Sequence, residues 1–154
     1  MIHPVKPLAF LTSFLCLNAI TLPIIAQPQS KITLTIDGLN NKKGQICASL
    51  FASNKGFPSN GDDAVQKRCS SITEVPIVMT FENLQPGSYA IAVLHDANSD
   101  KTANRNALGI PTEGFGFSKN PAIFTGPPKF NEAAVVVAGV NTNINIKLQY
   151  LLGG

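Results

Sequence analysis

Two histidines, at positions 3 and 95, and three cysteines, at 16, 47 and 69, are all that 154 residues supply of the side chains most used for nucleophilic and zinc chemistry. No Cys-x-x-Cys spacing occurs, which excludes a zinc knuckle and a dithiol redox centre. No Gly-x-x-x-x-Gly-Lys loop is present to cradle phosphates. Nor is there a nucleophile elbow, so a serine triad has no place to form. The chain also lacks any basic run or ladder of aromatics, and its twelve Lys plus Arg stand against nine Asp plus Glu. That balance excludes nucleic acid as a partner. Long amphipathic helical patterns, internal repeats and low-complexity tracts are missing too.

What is present begins with a leader. Lys6 precedes the apolar run LAFLTSFLCLNAITLPIIA, which ends in the small residue Ala26 before QPQSK. A basic start, an apolar middle and a small residue at the cut predict a secretory signal over residues 1–26. Asn18 and Pro23 interrupt the run, and no positive cluster follows to stop transfer, so no membrane span is expected once the leader is removed. Ser13, Phe14 and Leu15 lack the small residues that precede a lipid-modified cysteine, which sets Cys16 aside. Cleavage after Ala26 leaves residues 27–154, the size of one domain, in the periplasm or outside the cell. The expected partner is a component of the cell envelope or the extracellular space.

The body reads as strands. Ile32, Leu34 and Ile36 alternate with Lys31, Thr33, Thr35 and Asp37, which is the period of a half-buried strand over 31–37. A second strand over 45–51 follows the turn-like GLNNKKG and is expected to pair with the first as an antiparallel hairpin. Asp62 or Asp63 suits the cap of a short helical turn at 64–68. Strands over 76–84 and 87–96 flank Gln85-Pro86-Gly87, a strong turn signal. A last hairpin is expected from 132–139 and 141–150, where Ile144, Ile146, Leu148 and Tyr150 share one face. Six clear strands, with fragments around 71–74 and 121–125 raising the total to seven or eight, predict an all-β, antiparallel sandwich.

The stretch FENLQPGSYAIAVLHDANSDKTANRNALGIPTEGFGFS resembles a bacterial family catalogued as domain of unknown function 2141. The resemblance is carried by Phe81, Leu84, Pro86, Gly87 and Tyr89, then His95, Asp96 and Asn98, then Gly109, Pro111, Glu113, Gly114, Gly116, Phe117 and Ser118. It implies a sandwich similar to transthyretin-like (prealbumin-like) and collagen-adhesin B-type modules, and it implies no activity. The chain departs from the family pattern at Asp100-Lys101, where the family has Asn-Gly, and at Asn104, where it has a second aspartate.

Within the long loop that follows strand 87–96, Asp96, Asn98 and Asp100 stand at positions one, three and five of a calcium-loop spacing. Thr102 falls at seven, where a backbone carbonyl serves, and Asn104 at nine. Position twelve is Ala107, so Glu113 is the remaining carboxylate source. Lys101 occupies the place of the usual turn glycine. These departures limit a calcium site here to the weak extracellular range, roughly 10⁻⁴–10⁻³ M. The competing explanation needs no metal, because Asp and Asn bond to backbone amides two residues on and organise turns by themselves. Phe115 and Phe117 are expected to plug the end of the sandwich. His95 is expected to anchor a loop by hydrogen bonding.

Two functional classes follow: a binding or structural module with an ordered 95–118 loop, and, as the alternative, a small extracytoplasmic hydrolase using His95, Asp96 and Glu113. Two cysteines remain in the mature chain, Cys47 and Cys69, and in an oxidising compartment they are expected to form one disulfide. Closing a loop of this length is worth roughly 3–4 kcal/mol when the native geometry is unstrained. Purified mature protein should therefore show no free thiol until it is reduced; two thiols labelled in the native state would contradict the pairing.

Overall fold

The computed structural model describes residues 29–124 and 126–152. The expected leader, residues 1–26, lies outside the described residues. Eight strands form among those described: β1 (Ser30–Asp37), β2 (Gln45–Phe51), β3 (Gln66–Ser71), β4 (Ile77–Leu84), β5 (Gly87–Asp96), β6 (Gly114–Phe117), β7 (Val135–Val137) and β8 (Asn141–Lys147). Two sheets face each other, one in the order β4-β1-β8 and one in the order β3-β2-β5-β6, with β7 also on β5. The fold is an all-β sandwich, as the alternation predicts.

Alternation decides which side chains meet. Leu34 pairs with Met79 on one side and Ile144 on the other, and Ile36 likewise with Ile77 and Ile146. These residues, with Ile46, Leu50, Ile91 and Val93 from the second sheet, form the main core. Interior packing of this kind supplies most of the free energy of such a domain.

Pairing differs from expectation in three places. β1 and β2 lie in different sheets and form no hairpin, because both edges of β1 are taken, by β4 antiparallel and by β8 parallel. The 38–44 turn therefore carries the chain from one layer to the other. The expected 132–139 and 141–150 hairpin is also absent. A short helix, α1 (Phe130–Ala133), precedes β7; β7 pairs with Gly87–Tyr89 of β5, and β8 crosses to lie parallel to β1. The sandwich is thus not wholly antiparallel. Finally, the helical turn expected at 64–68 is a 3₁₀ turn at Gly61–Asp63, capped by the Asn60 side chain, and Gln66–Ser71 is the edge strand β3. The seventh and eighth strands are β3, which takes in Ser71, and β6; residues 72–74 and 121–124 form no strand.

Cys47 and Cys69 are register partners on β2 and β3 and are disulfide-bonded. The bond ties a polar edge strand to the sheet. On the other layer, Asn120 covers the free edge of β8: its Nδ2 donates to the Asn145 carbonyl at 2.9 Å and its Oδ1 accepts the Lys147 N–H at 2.8 Å. That side chain imitates one rung of a missing strand, a known way of blunting an edge. Past β8, Phe115 and Gln149 exchange two backbone hydrogen bonds at 3.0 and 2.8 Å, which links the two sheets along one side.

This link forces β6 against the chain leaving β8. A Cβ on Gly116 would stand 2.6 Å from Ile146 Cγ2 and 3.2 Å from the Lys147 carbonyl, and one on Gly114 would enter the Tyr150 ring. Gly116→Ala should cost about 2 kcal/mol by overpacking, measured as a lower urea midpoint with unchanged slope. An unaltered midpoint would show that the two sheets are not held this closely.

Candidate functional site

β5 ends at His95 and Asp96, whose side chains leave the sheet on opposite faces because successive strand residues alternate. His95 points inward and is 1% exposed. Its Nε2 lies 2.8 Å from the Lys43 carbonyl, and its Nδ1 2.7 Å from the Tyr150 hydroxyl. A carbonyl only accepts, so Nε2 carries the proton and Nδ1 accepts from Tyr150. Tyr150 Oη in turn accepts the Asn40 N–H at 3.4 Å. Burial pushes the phenol above its ordinary value of 10.0, opposed by the Asn40 N–H, so Tyr150 remains a donor to His95. The histidine thus anchors the 38–44 crossover and the C-terminal strand at once.

Asp96 points to the outer face and is fully buried there by the loop. Its Oδ1 accepts the Asp100 N–H at 3.1 Å; its Oδ2 accepts the Lys101 N–H and the Gln45 Nε2, both at 2.8 Å. Glu113, 9% exposed, closes the far end of the same loop. One oxygen accepts the Ala97 N–H at 3.0 Å and the other the Asn104 N–H at 3.1 Å. Neither carboxylate has a cationic partner among the described residues. Their charge is balanced by oriented N–H dipoles, as in other backbone nests. Ser99 and Lys101 take φ of 60° and 64°, which turns their neighbours' amides inward.

Between these two staples, Asp100 organises the exposed part. Its Oδ1 accepts the Thr102 N–H at 2.7 Å, while its Oδ2 accepts from Asn98 Nδ2 at 2.8 Å and Asn104 Nδ2 at 3.1 Å. The Thr102 N–H first, then the Asn104 and Asn98 amides, hold the Asp100 carboxyl below its ordinary value of 3.8. The structure therefore brings all six candidate ligands into one hydrogen-bonded loop through side-chain groups, Thr102 by its N–H and by its hydroxyl, which donates to the Asp100 carbonyl at 3.5 Å. A carboxylate offers about four lone-pair directions, and Asp96 and Asp100 each have three in use. A cation would have to displace N–H groups that point at the same oxygens. Among the described residues, no three His, Cys, Asp or Glu side chains converge as a metal site. His95, on the inner face with both ring nitrogens engaged, is separated by the sheet from Asp96 and Glu113.

Phe115 and Phe117 lie on the outer face of the five-stranded sheet and do not plug the end of the sandwich. They join Ala90, Ala133, Phe57, Ile123 and Phe130 in a second apolar cluster. Three polar partners escape a sequence reading. Gln45 is drawn in only because it is the register partner of Asp96. Tyr150 falls beside His95 through the sheet-linking bridge. Ser118, fully buried, accepts the Ile91 N–H at 2.9 Å and donates to the Ala133 carbonyl at 2.6 Å, joining β5, β6 and α1. Its only signal is its place in the family motif.

Asp96→Asn and Glu113→Gln each turn an amide NH₂ toward backbone N–H donors, so each should cost about 2–3 kcal/mol. Hydrogen exchange at Lys101 and Asn104 should accelerate in both. Asp100 sets a pH limit: its folded-state pKa is depressed, so its contribution is present above the ordinary carboxylate pKa and is lost as pH falls through the folded value. The protection of the Thr102 amide, the unstructured rate at each pH relative to its own exchange rate, should therefore be flat above the ordinary value of 3.8 and fall on acidification below it; Asp100→Asn should abolish that dependence.

No curated protein and no solved structure matches the chain. A family model described as an uncharacterized protein conserved in bacteria, DUF2141, matches residues 34–145, which takes in both sheets, the carboxylate-held loop and its two staples. The chain belongs to that bacterial family.

Proposed function

We propose that the mature chain works outside the cytoplasm, in the periplasm or beyond the cell, as a non-catalytic β-sandwich binding module whose 96–113 crossover is a preformed lip of the recognition surface. One observation carries this reading. Asp96 and Glu113, two carboxylates without a countercharge among the described residues, fix four loop amides, and Asp96 takes the Gln45 side chain besides. Burying charge is costly, and here the return is a fixed loop shape. Fixed loops on a rigid scaffold are where binding surfaces are most often built. A reaction would need those same carboxylates free.

A calcium-filled version of the loop is the second reading, and one atom favours it. Asn104 Oδ1 is buried with no hydrogen-bond partner, while its Nδ2, donating to Asp100, fixes which way the amide faces. A lone buried acceptor is a place where a water or ion belongs.

Thermal unfolding of mature protein, with chelator and then with calcium to about 5 mM, separates the two. The expected result is an unchanged midpoint. A site of Kd about 10⁻⁴ M would instead add about 1.4 kcal/mol at tenfold excess of calcium, moving the midpoint upward by several degrees. Export is read separately: fractionated cells expressing the full chain should hold a species beginning at Gln27 outside the cytoplasm. A cytoplasmic species retaining Lys6 would overturn that part.

A further inference from the structure

Strand β5 carries the apolar run Ala90-Ile91-Ala92-Val93-Leu94, which does not alternate. A strand apolar on both faces is one that needs cover on both. Its inner row, Ile91 and Val93, is buried in the main core. Its outer row is fully buried only at one end, where Ala90 lies beneath the Phe57, Phe117 and Phe130 cluster, with Ala92 and Phe115 packed at the cluster's margin. Further along, Ala92, Leu94 and Phe115 remain half-exposed. They form the floor of a depression of about 1270 Å³, walled by residues 58–62 on one side and 101–111 on the other. Cys47, Ser49 and Ala92, small side chains on adjacent strands, keep that floor low.

Charge on the walls is not balanced. Asp62 is matched to Lys67 at 3.2 Å, and Glu113 is turned into the loop amides. Lys101 and Arg105 also line the depression and have no acidic partner among the described residues; the Arg105 guanidinium donates only to the Gly109 carbonyl, at 2.8 Å. The carboxylate-held loop fixes the backbone of Lys101 directly, through its N–H to Asp96. Phe124, 89% exposed, stands on the wall as an apolar flank.

We infer that this depression is a binding groove for a small amphipathic organic anion, its apolar body on Ala92, Leu94 and Phe115 and its acidic group against Lys101 and Arg105. The inference deepens the binding reading above and names the ligand class. A groove with an apolar floor and a few convergent polar groups is the common form of a small-molecule site. Two cations on the wall without acidic partners among the described residues select an anion over a neutral molecule of the same shape.

Two fluorescent dyes with the same aryl body test it: anilinonaphthalene sulfonate and the neutral phenylnaphthylamine. Native mature protein should bind the sulfonate saturably, one per chain, and about tenfold more tightly than the neutral dye, with the difference shrinking in high salt. Lys101→Asn, which keeps a residue tolerant of positive φ, should weaken the sulfonate about three- to fivefold and leave the neutral dye unchanged. Leu94→Ser should weaken both dyes. Equal affinity for the two, an unaltered sulfonate affinity in both Lys101→Asn and the Lys101→Asn/Arg105→Gln pair, or fluorescence that grows only as urea unfolds the chain would each overturn the inference. Urea midpoints of the variants confirm that they fold. Because export and calcium dependence are read by other measurements, failure here removes the ligand class without touching them.

Discussion

A buried aspartate with no countercharge among the described residues sets the shape of one end of this protein. Asp96 terminates β5 on the outer face, where water would normally solvate it, and the following loop folds back over it. The carboxylate then requires donors, and the nearest are the amides of residues 100 and 101. Satisfying it demands left-handed backbone at Ser99 and Lys101, a cost of order 1–3 kcal/mol each for strained non-glycine residues. Charge-assisted bonds of 2.8 to 3.1 Å offset that strain. Glu113 repeats the device from the other end, so the loop is held at both ends by groups that cannot relax without exposing a buried charge to apolar surroundings.

His95 performs the complementary task on the inner face. Adjacent residues of one strand thus organise two different connections: the imidazole holds the 38–44 crossover and Tyr150, and the carboxylate holds the 96–113 crossover. Both depend on β5 lying at the centre of its sheet, between β2 and β6. The apolar character of both its faces follows from the same position. One face belongs to the main core and the other to a second cluster that stops halfway, which is why a floor of half-covered apolar residues exists beside a rigid polar loop.

Strand positions were legible wherever one face is buried and the other solvated. β1 and β8 announce themselves by alternation, and β5, apolar on both faces, by the Pro-Gly turn before it and the polar loop after it, which bound it at both ends. β3 was not legible, because an edge strand of Gln, Lys, Arg, Cys and Ser buries almost nothing. Pairing was less legible than position. A glycine and asparagine turn says that the chain reverses; whether the next strand joins the same sheet depends on edges already claimed by distant residues, here Ile77–Leu84 and Asn141–Lys147 on β1. In the loop, spacing singles out Asp96, Asn98, Asp100, Thr102 and Asn104 as cation ligands, with Glu113 added as a further carboxylate. Spacing does not reveal that the carboxylate oxygens are met by N–H groups, since calcium loops and self-bonded turns draw on the same residue types.

The departures from the family pattern bear on that ambiguity. Asn104 stands where the pattern has aspartate, and its Nδ2 donates to Asp100. At position 100 the same pattern has asparagine where this chain has Asp100, so the acid and the amide have exchanged places and the loop keeps one carboxylate between its two staples. Lys101 stands where the pattern has glycine, and it keeps the left-handed turn at some strain while lining the groove. The exchange of acid and amide leaves the number of acids in the loop unchanged, and only the lysine alters its charge. Lys101 places an ammonium with no acidic partner among the described residues at the rim of the groove. Relative to that pattern the loop thus gains one positive charge, which favours meeting an anion over holding a cation.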